Sequence, residues 1–152
     1  MPDPVTFASA APRFALPFLF AGQAQKEITV NTVTARLDVL LHCAVESQQP
    51  NPPVAPAEGQ VWLIAGNPGG AWSGLAEYLA AYIGGGWTLI APQEGMVLFD
   101  RALGAFRHYQ GGWTVPAAQI APTGGSVIDV EARTAIEALV TALQNAGVIP
   151  AA

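Results

Sequence analysis

The spacing of hydrophobic side chains changes twice along the chain, and the first pattern predicts a helix. Between residues 30 and 44, apolar positions recur every three or four residues, which is the period of an amphipathic helix. Asn31 is the expected N-cap, and Arg36 and Asp38 occupy the opposite, polar face. We expect the apolar stripe to face either the core or a seam between subunits, since two heptads are too short to establish a coiled coil. Its members are Val30, Val33, Leu37, Leu40 and Ala44.

The second pattern, in the middle of the chain, consists of short apolar runs separated by glycine and proline. These runs are rich in β-branched and aromatic residues, which is typical of strands. They predict strands at 60–65, 77–83, 87–91, 96–100, 105–110 and 113–115. Because the connections between them are short, and parallel strands need long crossovers, we expect an antiparallel meander.

A second helix is predicted near the C-terminus. Residues 126–129 resemble a capping box, and Gly147 fits the C′ position that ends many helices. Between these signals one side of the helix is apolar and includes Leu139 and Leu143. We expect this helix either to close over the sheet or to bundle with symmetry mates.

The first 24 residues predict an extended arm that docks on a protein surface. Four prolines interrupt this segment and forbid a long helix. Phe14, Phe18 and Phe20 make it too apolar for a free tail. We expect the arm to dock either on its own domain or on a neighbouring subunit.

Together these elements predict an α+β fold that is mainly β. It is an antiparallel β-meander domain flanked by an N-terminal arm plus helix and by a C-terminal helix. We divide the chain into the docking arm (1–24), a helix with a proline-rich linker (25–58), the antiparallel β domain (59–118) and the C-terminal helix (119–152). Four prolines between 50 and 56 favour extended polyproline geometry in the linker.

Composition adds a reason to expect assembly. Charged residues make up 11% of the 152 residues and hydrophobic residues 51%, whereas an ordinary soluble domain is about 25% charged. A surface this apolar is typical of a chain that faces other protein chains, although a compositionally biased genome would give the same numbers without functional meaning. The expected docking residues are Phe14, Phe18, Phe20, Val33, Leu37, Leu40, Leu139 and Leu143.

Charge and hydropathy exclude several classes of partner. The net charge is −5, and the six basic residues are scattered singly, so we expect no binding to nucleic acid or to an anionic membrane surface. The longest uncharged run, at 59–76, is broken by proline and glycine, so we expect no membrane insertion. Because the N-terminal residues lack a basic region, we expect synthesis in the cytoplasm without a signal peptide.

Catalytic and metal-binding patterns are missing from the sequence. His42 and His108 have no metal-ligand spacing, and the single cysteine, Cys43, lies in an apolar run that predicts a buried, inert thiol. Four acids of the β region fall mostly at strand edges or turns, where solvated charges are the rule. They are Glu58, Glu77, Glu94 and Asp100. We therefore expect neither an enzyme nor a bound cofactor.

Aromatic side chains in the β region are the remaining candidates for ligand binding. Aromatic faces flanked by polar groups hold sugar rings through stacking and hydrogen bonds to hydroxyls. Trp72 and Trp113 each follow a glycine-rich turn and Tyr109 lies nearby, so these three are our saccharide-binding candidates. Trp62 and Trp87 lie within apolar strands, and we expect them to be packing residues.

Three segments together resemble a known family. They are residues 16–31, which contain Gln-Ala-Gln-Lys-Glu followed by Asn31, then 59–62 with 70–74, and 85–95 with 109–113. The chain resembles an uncharacterised domain family of alphaproteobacterial prophage tail-fibre-like proteins. The family includes head-spike proteins of gene transfer agents, which are phage-derived particles that package host DNA.

The resemblance implies a structural subunit on the surface of a phage-like particle. Such a subunit is a homo-oligomer, a trimer or a pentamer, attached to capsid vertex or tail proteins. As the base of a spike it would carry a fibre protein. Head spikes of gene transfer agents are implicated in binding the recipient's capsular polysaccharide, and the family has no assigned catalytic residue. The alternatives are a monomeric carbohydrate-binding module and a wall-degrading enzyme, which would need a buried carboxyl of raised pKa near a second acid.

Overall fold

The structure, a computed structural model, describes residues 10–19, 22, 26–125 and 129–151. It confirms the α+β, mainly β class: the described residues form two helices and two four-stranded sheets. The elements are α1 (Glu27–Leu40), β1 (Ala44–Val45), β2 (Gln48–Gln49), β3 (Val61–Ile64), a 3-10 turn (Gly70–Trp72), β4 (Leu79–Ile83), β5 (Gly86–Ile90), β6 (Val97–Asp100), β7 (Ala105–Tyr109), β8 (Trp113–Thr114) and α2 (Val130–Asn145).

Each sheet is a three-stranded antiparallel meander with one additional parallel strand at its edge. One sheet has the order β2-β3-β4-β5 and the other β1-β6-β7-β8. The six predicted strands are all present within two residues of their expected ends. The parallel partners β1 and β2 were not predicted, since they lie in the expected end of the first helix and in the expected linker.

One hydrophobic core joins α1 to both sheets. Its buried residues come from α1, the turn after it and strands of both sheets. They are Val39, Cys43, Val45, Val61, Leu63, Leu79, Ala81 and Leu98. The opposite face of the β2-β3-β4-β5 sheet carries a second cluster, built on Trp62, Ile64, Trp72 and Ala80. All four residues of β3 are therefore buried, and this strand is the centre of the fold.

Helix α1 is rotated relative to the expectation. Ala35, Asp38 and Val39 face inward, while Val30, Val33, Leu37 and Leu40 are 40–52% exposed. The alternative that the apolar stripe faces the core is therefore wrong. The helix begins after Lys26, so that Asn31 lies within it and is not the N-cap, and Ala44 belongs to β1.

Buried Asp38 explains this rotation. Its carboxylate, which has no solvent exposure, accepts hydrogen bonds from the backbone N–H groups of Arg13 (2.9 Å) and Phe14 (2.7 Å). In return, the Arg13 guanidinium donates to the carbonyl oxygens of Asp38, Val39 and His42 at 2.6–3.1 Å. A cation here satisfies carbonyl groups that the end of a helix leaves unpaired. The arm and α1 thus hold each other in place.

The described part of the N-terminal arm docks on its own domain. Asn31 bonds both backbone groups of Leu19, accepting at 2.8 Å and donating at 3.1 Å. Ala11 is buried, and a Cβ at Gly59 would lie only 3.1 Å from the Pro12 side chain. Of the two alternatives left open by the sequence, residues 10–19 follow the first.

Helix α2 is well capped but packs on almost nothing. The Asp129 side chain accepts from the backbone N–H of Ala132 (2.8 Å), while the expected start at 126–128 lies outside the described residues. Gly147 ends the helix with φ +70°, as predicted, and Val148 N–H bonds the Leu143 carbonyl. None of the sixteen residues of α2 is buried, so the expectation that it closes over the sheet is wrong.

The chain after α2 provides its anchor. Phe106 N–H donates to the Gly147 carbonyl (2.8 Å), and Ile149 is buried. A Cβ at Gly147 would lie 2.9 Å from the Phe99 ring, so the close contact and the positive φ both require glycine. The helix is therefore fixed at its C-terminal end and exposed along its length.

We predict that Asp38→Ala destabilises the domain by about 3 kcal/mol, because two charge-assisted hydrogen bonds are lost and two backbone donors stay unpaired. Urea unfolding gives the value, and trypsin should cut faster after Arg13. Arg36→Ala is the control on the same helix. This exposed residue has no hydrogen-bond or ion-pair partner among the described residues, so the change should stay within about 0.5 kcal/mol. Equal unfolding midpoints for the two variants would contradict the role given to Asp38.

Candidate functional site

Tyr109 on β7 and Trp113 on β8 form a half-buried aromatic pair. They are cross-strand partners, with ring centroids 5.2 Å apart and planes tilted by 66°. The connecting turn needs glycine at 111, where φ is +64°, and its N–H donates to the Glu94 carboxylate at 2.8 Å. The turn and its acid therefore fix the position of both rings.

Glu77, in the turn that precedes β4 of the other sheet, joins the pair. The Tyr109 hydroxyl donates to its carboxylate (3.2 Å), and Trp113 Nε1 donates to its backbone carbonyl (2.8 Å). Burial, the hydrogen bond to Glu77 and the charges of Glu77 and Glu94 raise the pKa of Tyr109. The phenol therefore stays protonated at neutral pH. Two aromatic rings beside carboxylate acceptors are a group that can stack on a sugar and bond its hydroxyls.

Trp72, the third saccharide candidate, is fully buried, so its ring is not accessible to a sugar. The turn at Gly70–Trp72 folds the indole inward, where it meets the Trp87 ring edge-on at 5.1 Å. Trp62 and Tyr82 contact the same ring at 5.7 and 5.2 Å. Trp62 and Trp87 are thus packing residues, as expected. The Nε1 of Trp72 has no hydrogen-bond partner among the described residues.

The assembly candidates lie mainly on the surfaces of α1 and α2. Phe14 is exposed beside the His42 ring, Phe18 is half-buried, and Phe20 lies outside the described residues. Val33, Leu37 and Leu40 are exposed on α1. On α2, Leu139 is 61% exposed and Leu143 is half-buried. The structure thus leaves two apolar helix faces in contact with solvent.

A groove of about 440 Å³ lies between α1 and β5. Its floor is apolar and its polar lining groups are Arg36, Tyr78 and Gln93. The other four arginines of the chain bond carboxylates or carbonyl oxygens, whereas Arg36 has no partner within the part of the chain that is described. Sequence analysis assigned Arg36 only to a polar helix face, because the groove exists only once α1 packs beside β5.

A second cavity, of about 360 Å³, lies under the arm. Its charged side chains are already engaged: Arg101 pairs with Glu46 at 2.7 Å, and Glu58 accepts from the backbone N–H groups of Gly84 and Gly85. Arg13 is committed to α1. Because these charged groups are bonded within the fold, few of them are available to bind a ligand in this cavity.

The described residues offer little chemistry for catalysis. Asp100, expected at a solvated turn, is instead buried and paired with Arg107 across β6 and β7 at 2.8 Å, so that expectation is wrong. Cys43 is buried as predicted, and burial, opposed by the nearby charge of Arg13, raises its pKa to about 11. Within residues 10–19, 22, 26–125 and 129–151, three potential metal ligands nowhere cluster. The same residues include no helix long and apolar enough to cross a membrane.

Comparison with known proteins places the chain in a family without assigning an activity. The DUF2793 family, described as proteins of unknown function, matches residues 30–114, from the first turn of α1 to the end of β8. This match covers more than half of the chain, and the chain belongs to that family. No curated protein and no solved structure matches it.

We predict that Cys43 resists an aromatic disulfide reagent at pH 8 in the folded protein and reacts fully in denaturant, because the buried thiol stays protonated. Its raised pKa favours folding below the ordinary value of 9.0, and this stabilisation is lost as the pH rises through about 11. The stability of the natural chain relative to Cys43→Ala should therefore fall between pH 8 and 11. Fast labelling of the folded chain at pH 8 would contradict this account.

Proposed function

We propose that this member of the DUF2793 family is a self-associating structural subunit, a head-spike or fibre component of a phage-like particle. The observation that carries the proposal is the exposure of two apolar helix faces on one small domain. Helix α2 buries no residue of its own, and α1 presents its apolar stripe outward. Surfaces of this kind are typical of protein–protein contact sites.

Helix stability supports association. A lone helix of about 12–15 residues is marginal in water, and most helices in proteins depend on packing of an apolar face. With sixteen residues and none buried, α2 receives little such support within the described chain. Covering Ile136 and Leu139 in an interface would contribute about 1.5–3 kcal/mol for each side chain that becomes fully buried.

The particle assignment draws on the sequence at 16–31 and in the glycine–tryptophan segments, which resembles head-spike and tail-fibre-like proteins. On this proposal the subunit is the base of a spike. It binds copies of itself and capsid vertex or tail proteins, carries a fibre protein, and serves attachment to the host cell surface. It acts through binding and not through catalysis. Repetition of a weak sugar site in a ring would convert millimolar contacts into firm adhesion.

A second candidate function is a monomeric carbohydrate-binding module, and the Tyr109–Trp113 pair favours it. These two rings keep the features that the prediction required, namely partial exposure and adjacent carboxylates. The two functions are compatible if each subunit of an oligomer displays one pair. A chain that is monomeric and still binds a saccharide would support the second function alone.

We predict that the chain sediments as an oligomer at micromolar concentration and that Leu139→Lys shifts it toward monomer, because a buried ammonium is costly at an apolar contact. Thr141→Lys, on the opposite side of α2, is the matched control and should leave the oligomer intact. Both residues are exposed in the single chain, so neither change should alter the unfolding midpoint much.

In cells that carry the gene, antibodies against the chain should label the surface of particles that contain nuclease-protected DNA. Leu139→Lys should abolish this labelling and Thr141→Lys should preserve it. A natural chain that is monomeric at every concentration, or that never copurifies with particles, would defeat the proposal.

We predict that Tyr109→Ala weakens binding to polysaccharide extracted from recipient bacteria about tenfold, a loss in the range of one aromatic contact. Tyr109→Phe keeps the ring and should retain most of the affinity. Trp62→Phe, in the buried cluster, is the control for nonspecific effects. Calorimetry on each folded variant gives the dissociation constants, and equal affinities for the Ala and Phe variants would remove the aromatic pair as a sugar site.

A further inference from the structure

We infer that α2 of one copy packs on the exposed face of α1 of the next copy, with Glu131 beside Arg36. The inference rests on the proposed self-association and names the two surfaces that form the contact. The α1 face consists of Val30, Val33, Leu37 and Leu40. The α2 face consists of Ala132, Ile136, Leu139 and Leu143.

The α1 face has a charged border on one side. At about 100° per residue, Arg36 lies roughly 40° from Leu40 around the helix, at the edge of the stripe. It also lines the groove between α1 and β5, together with Tyr78 and Leu89. Because Arg36 has no partner among the described residues, its guanidinium is free to pair with an acid that arrives with a neighbouring chain.

The α2 face offers such an acid. Its apolar positions are spaced by four, three and four residues, so they lie along one side of the helix. Glu131 lies about 100° from Ala132, at one border of this side. Arg133, at the other border, is occupied by bonds to the carbonyl oxygens of Pro122 and Gly124. In the contact between the two helices, the negative charge of Glu131 at the border of the α2 face would therefore lie beside the positive charge of Arg36 at the border of the α1 face.

The two faces also match in length. Helix α1 has 14 residues and α2 has 16, or about 21 and 24 Å at 1.5 Å per residue. Apolar ridges on two helices of similar length can interdigitate along most of the contact. One contact of this kind would cover both exposed faces. A bundle of α2 helices alone would leave the α1 face and Arg36 in water.

On this inference the partner is a second copy, because the two faces match each other in charge and length but do not cover each other within one chain. Both are exposed in the same molecule, and α2 is followed by Gly147, which contacts the β6–β7 region, and by the buried Ile149. Two different surfaces in contact make a head-to-tail interface, which closes into a ring when the rotation permits. This is the geometry of a trimeric or pentameric spike base.

Charge reversal tests the pairing. In sedimentation velocity of the full chain, Arg36→Glu and Glu131→Arg should each weaken association about tenfold or more, since each places like charges together. The double variant, with the charges exchanged, should recover most of the loss. Thr141→Arg is the matched control, because this exposed residue lies on the side of α2 opposite the apolar face and should not matter. Unchanged unfolding midpoints would show that the variants remain folded.

A second measurement distinguishes head-to-tail from like-to-like contact. Leu37→Cys and Leu139→Cys subunits, mixed and treated with a short bis-maleimide, should crosslink to each other and not to themselves. The buried Cys43 contributes little background. Leu139→Cys homodimers, or an oligomer that Arg36→Glu and Glu131→Arg leave unchanged, would overturn this inference while self-association stands. A natural chain that is monomeric throughout would defeat the proposed function itself.

Discussion

The burial of one carboxylate, Asp38, determines which side of the first helix faces water. An ionised group is costly to bury unless hydrogen bonds satisfy it, and two backbone N–H groups of the arm do so here. With Asp38 inward, the apolar stripe, whose residues lie about 80–160° from Asp38 around the helix at 100° per residue, faces outward. The chain thus places a polar group inside and a hydrophobic face outside, which is the reverse of an ordinary surface helix. The exposed apolar face of α1, on which the proposed assembly depends, follows from this inversion.

The rest of the domain is organised so that this helix has a rigid support. Strands β1 and β2 follow α1 directly and add to different sheets, so both sheets are tied to the end of the helix. The buried pair of Asp100 and Arg107 links β6 to β7 beside the same core. A pair of this kind adds little net stability over an apolar substitute, but loss of one partner leaves a buried charge. The Asp100–Arg107 pair therefore fixes the position of its two strands more than it adds stability.

The sequence predicts the strands well because their signals are local. Glycine turns and β-branched runs place all six strands of the two antiparallel meanders, and the Gly147 cap places the end of α2. The rotation of α1 could not be predicted, because the partners of Asp38 lie 24 and 25 positions away in the chain. The burial of Trp72 could not be predicted for a similar reason. A glycine-rich turn in the sequence indicates a bend but not the direction of that bend. The Tyr109–Trp113 pair was foreseeable from spacing, but Glu77 reaches it from the turn that precedes β4 of the other sheet.

Helix α2 is attached to the domain through residues 147–149 that follow it, and it is therefore a separable module. It lies beyond the 30–114 segment that the family shares, and it contributes no residue to the core. A helix with another sequence on its apolar side could therefore replace α2 without disturbing a core contact, provided that the buried Ile149 after it is kept. Selection can therefore change the surface that α2 presents without changing the fold, provided that position 147 remains glycine.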